Sequence, residues 1–231
     1  MRYLIAETSW KLISLGKAVS DQGTLVTRCE SGSEIEDFHK IGEHDLVVLD
    51  AAQLMRRTSI GHLRLLRPDT PIVLIARGAE AEQIAAWLSA GADTVIDESA
   101  PLPEMIARID AVARRAQGVC RPQLVCGPLT FDLEARRVHL GDVTLSLSPK
   151  LYEILEYLAL RPGRLAARES LLSHVYGFEN EPAPRVFDVY MCNLRAHLSS
   201  IADAVRIETV RGAGYRLELV EPTGTQKPLA A

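Results

Sequence analysis

Residues 182–216 constrain the fold more tightly than any other stretch. Phe187, Met191, Leu194 and Leu198 recur at spacings of four, three and four, which places them on one stripe of a helix. Arg185, Val189, Cys192 and Ala196 then fall on the far face, flanked by Asn193 and Arg195. After a short connection, RIETVRGAGYRLELV supplies two strand-like runs around Arg211-Gly212-Ala213-Gly214, where glycine permits the backbone of a tight hairpin. A helix with one buried stripe and one solvated face beside an arginine-tipped hairpin implies a winged helix-turn-helix. Such a helix fits the major groove of double-stranded DNA, and the wing reaches a flanking minor groove. The periodicity alone serves an ordinary surface helix packed on a hairpin equally well.

The first half alternates. RYLIAE (2–7), TLVTRC (24–29), LVVLD (46–50), PIVLIA (71–76) and TVIDE (94–98) are short, apolar, β-branched runs of strand length. Segments with helical spacing lie between them, notably Trp10 to Ser20, His62 to Leu66, Ala81 to Leu88 and Leu102 to Arg115. Strands alternating with helices imply an α/β unit: a five-stranded parallel sheet covered on both faces. In such sheets the functional crevice lies beyond the carboxyl ends of the strands, where Glu7, Asp50, Ala76 and Glu98 fall.

AQGVCRPQ (116–123) reads as a linker, so domains are expected at 1–116 and 123–220, joined by 117–122. LTFDL, RRVHL and VTLSLS follow as antiparallel strands with a hairpin turn at Gly141-Asp142. Ser148 then offers an N-cap and Pro149 a first helical residue, and Leu151, Ile154, Leu155 and Leu158 give that helix an apolar face. RESLLSHVYG (168–177) is the expected supporting helix of the helix-turn-helix, and 221–231 an expected disordered tail.

Composition excludes several classes. A chain of 231 residues suits two domains, each large enough for its own core. No run of about 18 uncharged apolar residues exists, so no transmembrane helix is expected. The start MRYLIAE opens as a strand without the pattern of a signal peptide, and a cytosolic location follows as the expectation. The four cysteines (Cys29, Cys120, Cys126, Cys192) lack metal-type spacing and read as reduced and structural. Cys120 and Cys126 flank a hinge, which leaves a thiol switch as an alternative. The six histidines are dispersed without a metal triad. No nucleophile–base set or phosphate loop is present, so neither an enzyme nor a cofactor is expected. Residues 1–116 carry 13 Lys/Arg against 17 Asp/Glu, and residues 117–231 carry 13 against 13. A DNA-binding half without net positive charge must rely on the placement of Arg185, Arg195, Arg211 and Arg216.

The pattern R-x-x-D-V-x-x-x-x-L-R-x-x-L from Arg185, followed by I-x-T-V-R-G-x-G-Y from Ile207, resembles the effector domain of OmpR/PhoB-type response regulators. The resemblance covers nearly the whole chain. MIARIDAVARRAQG, HVYGFENEP and RIETVRGAGYRL are most similar to the CtrA-like branch. It implies a CheY-like (βα)5 receiver followed by a winged helix-turn-helix, with promoter DNA, a second copy of the chain and RNA polymerase as partners. Carried over by position, DNA contacts are implied for Arg185, Asp188, Tyr190, Cys192, Asn193 and Arg195 in the helix. In the wing they fall on Thr209, Arg211 and Tyr215. Cys192 and Asn193 replace basic residues common in the family, and Asn pairs with adenine where Arg prefers guanine. Leu151 stands where the family often completes a capping box with Glu.

Departures concentrate in the receiver crevice. Asp50 fits the family's phosphoacceptor, but Thr8 and Ser9 stand where two further acids usually help hold Mg²⁺, leaving Glu7. Ala76 replaces the Thr/Ser that bonds the phosphoryl, Glu98 the lysine, and Val95 the aromatic switch. A phosphoryl charge about 4 Å from one carboxylate meets roughly 4 kcal/mol of repulsion at an effective dielectric of 20. Asp50 therefore reads as a relic, in a constitutively competent scaffold or a crevice put to use for another ligand. Asp93, Glu104, Arg108 and Arg114-Arg115 match positions that form intersubunit salt bridges in the family, with Trp87, Leu88 and Ile109 as apolar contacts. The alternative to a regulator is a protein-interaction module whose receiver binds a partner or small ligand.

Overall fold

The computed structural model describes residues 1–31, 34–54, 58–177 and 186–220. It resolves into two compact units, Met1–Pro122 with Leu172–Asn180, and Gln123–Leu171 with Glu181–Ala231. The expected tail at 221–231 and Arg185 lie outside the described residues.

In the first unit β1 (Arg2–Ala6), β2 (Leu25–Cys29), β3 (Leu46–Asp50), β4 (Ile72–Ala76) and β5 (Thr94–Asp97) form one parallel sheet in the order β2-β1-β3-β4-β5. Tyr3, Leu4 and Ile5 face Leu46, Val47 and Val48 across the central pair. β1 and β4 are buried at every position, as strands covered on both faces must be. The cover comes from α1 (Trp10–Asp21), α2 (Glu34–Ile41), α3 (Ile60–Leu66), α4 (Ala81–Ser89) and α5 (Leu102–Ala116). Ser9 caps α1 by accepting from the Leu12 amide at 3.3 Å, and Leu12, Leu15, Gly16 and Val19 form its buried stripe. Helix α2 was not legible in the sequence. Its eight residues bury just Ile35 and His39, too few for a period to stand out.

The linker is shorter than expected. Gly118, at φ +75°, ends α5 in a left-handed turn, with its amide on Arg115 O and the Val119 amide on Arg114 O, both at 2.9 Å. The Gln117 side chain donates to Asp45 at 3.2 Å. Residues 117–119 therefore finish the first unit rather than spanning a gap.

The second unit opens with an antiparallel sheet of β6 (Gln123–Cys126), β7 (Leu129–Asp132), β8 (Arg137–Leu140) and β9 (Val143–Leu145), in that order. Strand β6 was missed because it is only four residues long and buries just Cys126, too little for an alternation to stand out. Three helices follow in the chain, α6 (Pro149–Ala159), α7 (Arg168–Tyr176) and α8 (Val186–His197), of which α7 belongs to the first unit from Leu172 onward. Ser148 caps α6 as expected, accepting from the Leu151 amide at 3.4 Å. The helix is buried all round rather than along one face, and its acids are matched internally. Arg136 pairs with Glu153, and the Tyr152 hydroxyl donates to Glu156 at 3.0 Å. β10 (Ala166–Ala167), β11 (Val205–Val210) and β12 (Gly214–Leu219) close the unit in the order β10-β12-β11. A Cβ at Gly214 would stand 2.0 Å from the Ala166 carbonyl oxygen, so the third strand can join the hairpin only because this residue is glycine.

Candidate nucleic-acid interface

Helix α8 buries the expected stripe. Phe187, Met191, Leu194 and Leu198 are at most 2% exposed. The opposite face presents Val189, Cys192, Asn193 and Ala196 to solvent. The wing between β11 and β12 turns over Arg211-Gly212-Ala213, and Arg211 is exposed at its tip.

Several residues expected to touch DNA also have partners within the chain. Tyr215 is 1% exposed, and its hydroxyl donates to Asp188 Oδ1 at 2.9 Å. Burial, then that hydrogen bond, pushes its phenol above the ordinary value. The same carboxylate receives Arg168 at 2.9 Å, and the Arg168 guanidinium also lies over the Tyr215 ring at 5.5 Å. Asp188 would repel phosphates if bare; here a guanidinium partners it. Arg195 donates to the Ile207 carbonyl at 3.0 and 2.8 Å and to the Thr209 hydroxyl at 2.7 Å, which fastens α8 to β11. Arg216 pairs with Glu208 and with Glu218, the latter at 2.9 Å. Tyr190 is half-buried and meets Phe187 edge-on at 5.8 Å. Of the expected DNA-contacting set, Cys192, Asn193 and Arg211 point into solvent without such ties among the described residues.

Arg168 was missed by sequence reasoning. It opens a helix assigned to support, and its tie to Asp188 spans 20 residues, beyond any local period. The double role of Arg195 was equally invisible, because a helix-face arginine looks the same whether it meets phosphate or a carbonyl. Arg195→Ala is expected to cost the second unit about 1 to 2 kcal/mol through lost charged hydrogen bonds. Urea unfolding measures that, while a salt titration of DNA binding should keep its slope. An unchanged urea midpoint with a shallower salt slope would return Arg195 to the phosphate-contacting set.

The crevice of the first unit is closed on itself. Asp50 ends β3, and its Oδ1 accepts the Ala52 amide at 2.8 Å. Glu7 turns to Arg28 at 2.9 Å instead of joining Asp50. Ser9 is spent on capping α1, so the donor set does not fit a divalent cation. Glu98 pairs with Arg77 at 3.1 Å, and Lys11 Nζ donates to the Ala100 carbonyl at 2.8 Å. Hydrogen bonds from Ser99 hold the Asp97 carboxyl below its usual range. Lys11, Ser14, Arg77, Asp97, Glu98 and Ser99 line a shallow cleft of about 430 Å³ beside Trp10, which is 84% exposed.

The expected dimer residues divide. Ile109 is fully buried in the core of its own unit and offers nothing to a partner. Trp87 packs partly against that core, while Leu88 is exposed. Asp93 is held within the chain by Arg64 and by the Ile72 amide at 2.7 Å. Glu104 and Arg108 pair along α5 at 2.8 Å on its exposed side.

Comparison with known proteins bears on both units. The family described as "Transcriptional regulatory protein, C terminal" matches residues 142–217. The cell cycle transcriptional regulator CtrA of Caulobacter vibrioides is 34% identical over 93% of this chain and 94% of its own length. The cell cycle response regulator CtrA of Brucella anthropi is 31% identical over 94% and 95%. The structure of DrrB, an OmpR/PhoB homolog from Thermotoga maritima, aligns over 95% of this chain and 99% of its own at 23% identity and a TM-score of 0.42. No helix among the described residues is long and apolar enough to cross a membrane. Because the likeness to CtrA runs across both units rather than the winged half alone, the chain belongs to the CtrA-like response-regulator transcription factors, DNA-binding proteins of the OmpR/PhoB type.

Proposed function

We propose that this regulator works in the cytosol as a homodimer that binds promoter DNA without phosphorylation of Asp50, and that it is not an enzyme. Helix α8 enters the major groove with Cys192 and Asn193 outward, and Arg211 on the wing reaches the adjacent minor groove. Asn193 favours adenine, and an arginine at a wing tip suits the narrow groove of A·T-rich DNA, so the site is A·T-rich. The observation that carries phosphorylation independence is the pair of internal ties, Glu7 to Arg28 and Glu98 to Arg77, made where a metal ligand and a lysine would be needed. Adding a phosphoryl would set its charge beside the Glu98 carboxylate, which Arg77 already engages.

Helix α4 supports assembly. Its sequence AEQIAAWLS is largely apolar, yet none of it is fully buried: Ile84 and Trp87 are half-buried and Leu88 is exposed. Such a face is costly in water and is relieved by a second copy. The exposed side of α5, with Glu104 and Arg108, would border that contact. RNA polymerase is a further partner of the DNA-bound dimer. A second reading, a receiver that docks a partner or ligand, draws on the exposed Trp10 beside the cleft.

Sedimentation of the unmodified chain at micromolar concentration tests assembly. A dimer is expected, protecting two half-sites about one helical turn apart, 10 base pairs centre to centre. Arg108→Glu should shift the population to monomer. A clean monomer at high concentration that protects one half-site would overturn the dimer.

A further inference from the structure

Among the described residues, the face that α8 offers to solvent is largely neutral. Among its described residues, the charged ones nearest that face are engaged elsewhere: Asp188 by Arg168 and Tyr215, Arg195 by Ile207 and Thr209. Val189, Cys192 and Ala196, at spacings of three and four, form one exposed lane along the helix, and Val189 alone is 59% exposed. The Cys192 thiol is free and exposed, and a thiol packs as a small hydrophobe. Isolated surface valines need no explanation, but an apolar lane on the face directed at a ligand does.

We propose that this lane reads thymine by its 5-methyl group, with Val189 and Cys192 as the specificity-determining residues and Ala196 leaving room for close approach. The major-groove edge of a T·A pair differs from the other pairs in presenting that methyl, and small apolar side chains are its natural contacts. Asn193, beside the lane, supplies the polar half of the same recognition by pairing with adenine. Arg168 acts at one remove, as a positioning residue that holds the first turn of α8 through Asp188. The inference rests on α8 entering the major groove, and its test separates the two claims.

The full chain is titrated against a duplex selected from random sequence and against a series in which each thymine is replaced singly by deoxyuridine, which lacks only the methyl. At one or two positions per half-site the replacement should weaken binding about three- to fourfold, the worth of one buried methyl. Val189→Ala or Cys192→Ser should weaken the thymine duplex by a similar factor and abolish the difference between thymine and deoxyuridine at its own position. Val189→Asp, which sets a charge in the groove, reports on α8 itself. If every deoxyuridine duplex binds like its parent while Val189→Asp weakens binding tenfold or more, α8 occupies the groove but does not read methyls, and the proposal falls. If Val189→Asp is silent as well, the placement of α8 falls with it. Both lane residues lie on the surface, so loss of folding does not confuse the result.

Discussion

Phe187→Ala is expected to destabilise the second unit by about 3 to 5 kcal/mol, the cost of removing a buried aromatic and leaving a cavity. Phe187 is fully buried on α8 and takes Tyr190 edge-on at 86° between ring planes. Few other single changes in this unit remove so much packing, and a domain of this size has only about 5 to 15 kcal/mol in total. The urea midpoint should fall steeply, and specific DNA binding should be lost at temperatures the parent tolerates. Val189→Ala, two residues along but 59% exposed, should stay within about 0.5 kcal/mol of the parent. If the two variants unfold alike, α8 does not bury the stripe described above.

Lowering the pH from 7 to 5 is expected to cost the first unit on the order of 4 kcal/mol, roughly 2 from each of His39 and His44. Burial pushes the His39 imidazole down from 6.5 to about 4, and the charges of Arg67 and Arg64 add to it. Burial likewise takes His44 down to about 3, helped by the charge of Arg2, while Thr27 meets its Nε2 at 3.1 Å. At pH 7 both rings are neutral whether the chain is folded or not, so neither costs anything. Below the ordinary value near 6.5 the unfolded chain takes up protons that the folded chain refuses, and stability drains away until the folded values are reached. Urea midpoints measured across this range should fall, and His39→Gln should remove about half of the fall. A flat profile between pH 7 and 5 would mean that these rings are not buried as described.

Much of this was legible in the chain because the relevant periods are local. The five parallel strands announce themselves as apolar runs, since both faces of the sheet are covered. The stripe of α8 and the glycine hairpin of the wing repeat at fixed spacings. What escaped was either short or distant. Helix α2 buries two side chains and β6 one, so neither leaves a pattern. The inward role of Tyr215, the Arg168–Asp188 tie and the Arg195 clasp depend on side chains brought together across 12 to 27 residues, where periodicity is silent. Ile109 shows the opposite hazard: a position borrowed from family alignment proved to belong to the core, because its spacing with Met105, Ile106 and Ala113 places it on the buried stripe of α5. The losses at Thr8, Ser9, Ala76 and Glu98 were plain from identity alone, but where Glu7 and Glu98 found new partners, in Arg28 and Arg77, was not.

The central claim is that DNA binding by this regulator does not wait for a phosphoryl group. Its most direct test is the affinity of the full chain for a selected duplex, measured before and after treatment with beryllofluoride and Mg²⁺, with Asp50→Asn alongside. Equal affinities in all three cases are predicted, because Glu7 and Glu98 are already paired and, among the described residues, no donor set near Asp50 suits the metal. A tenfold tightening on treatment, absent in Asp50→Asn, would contradict it.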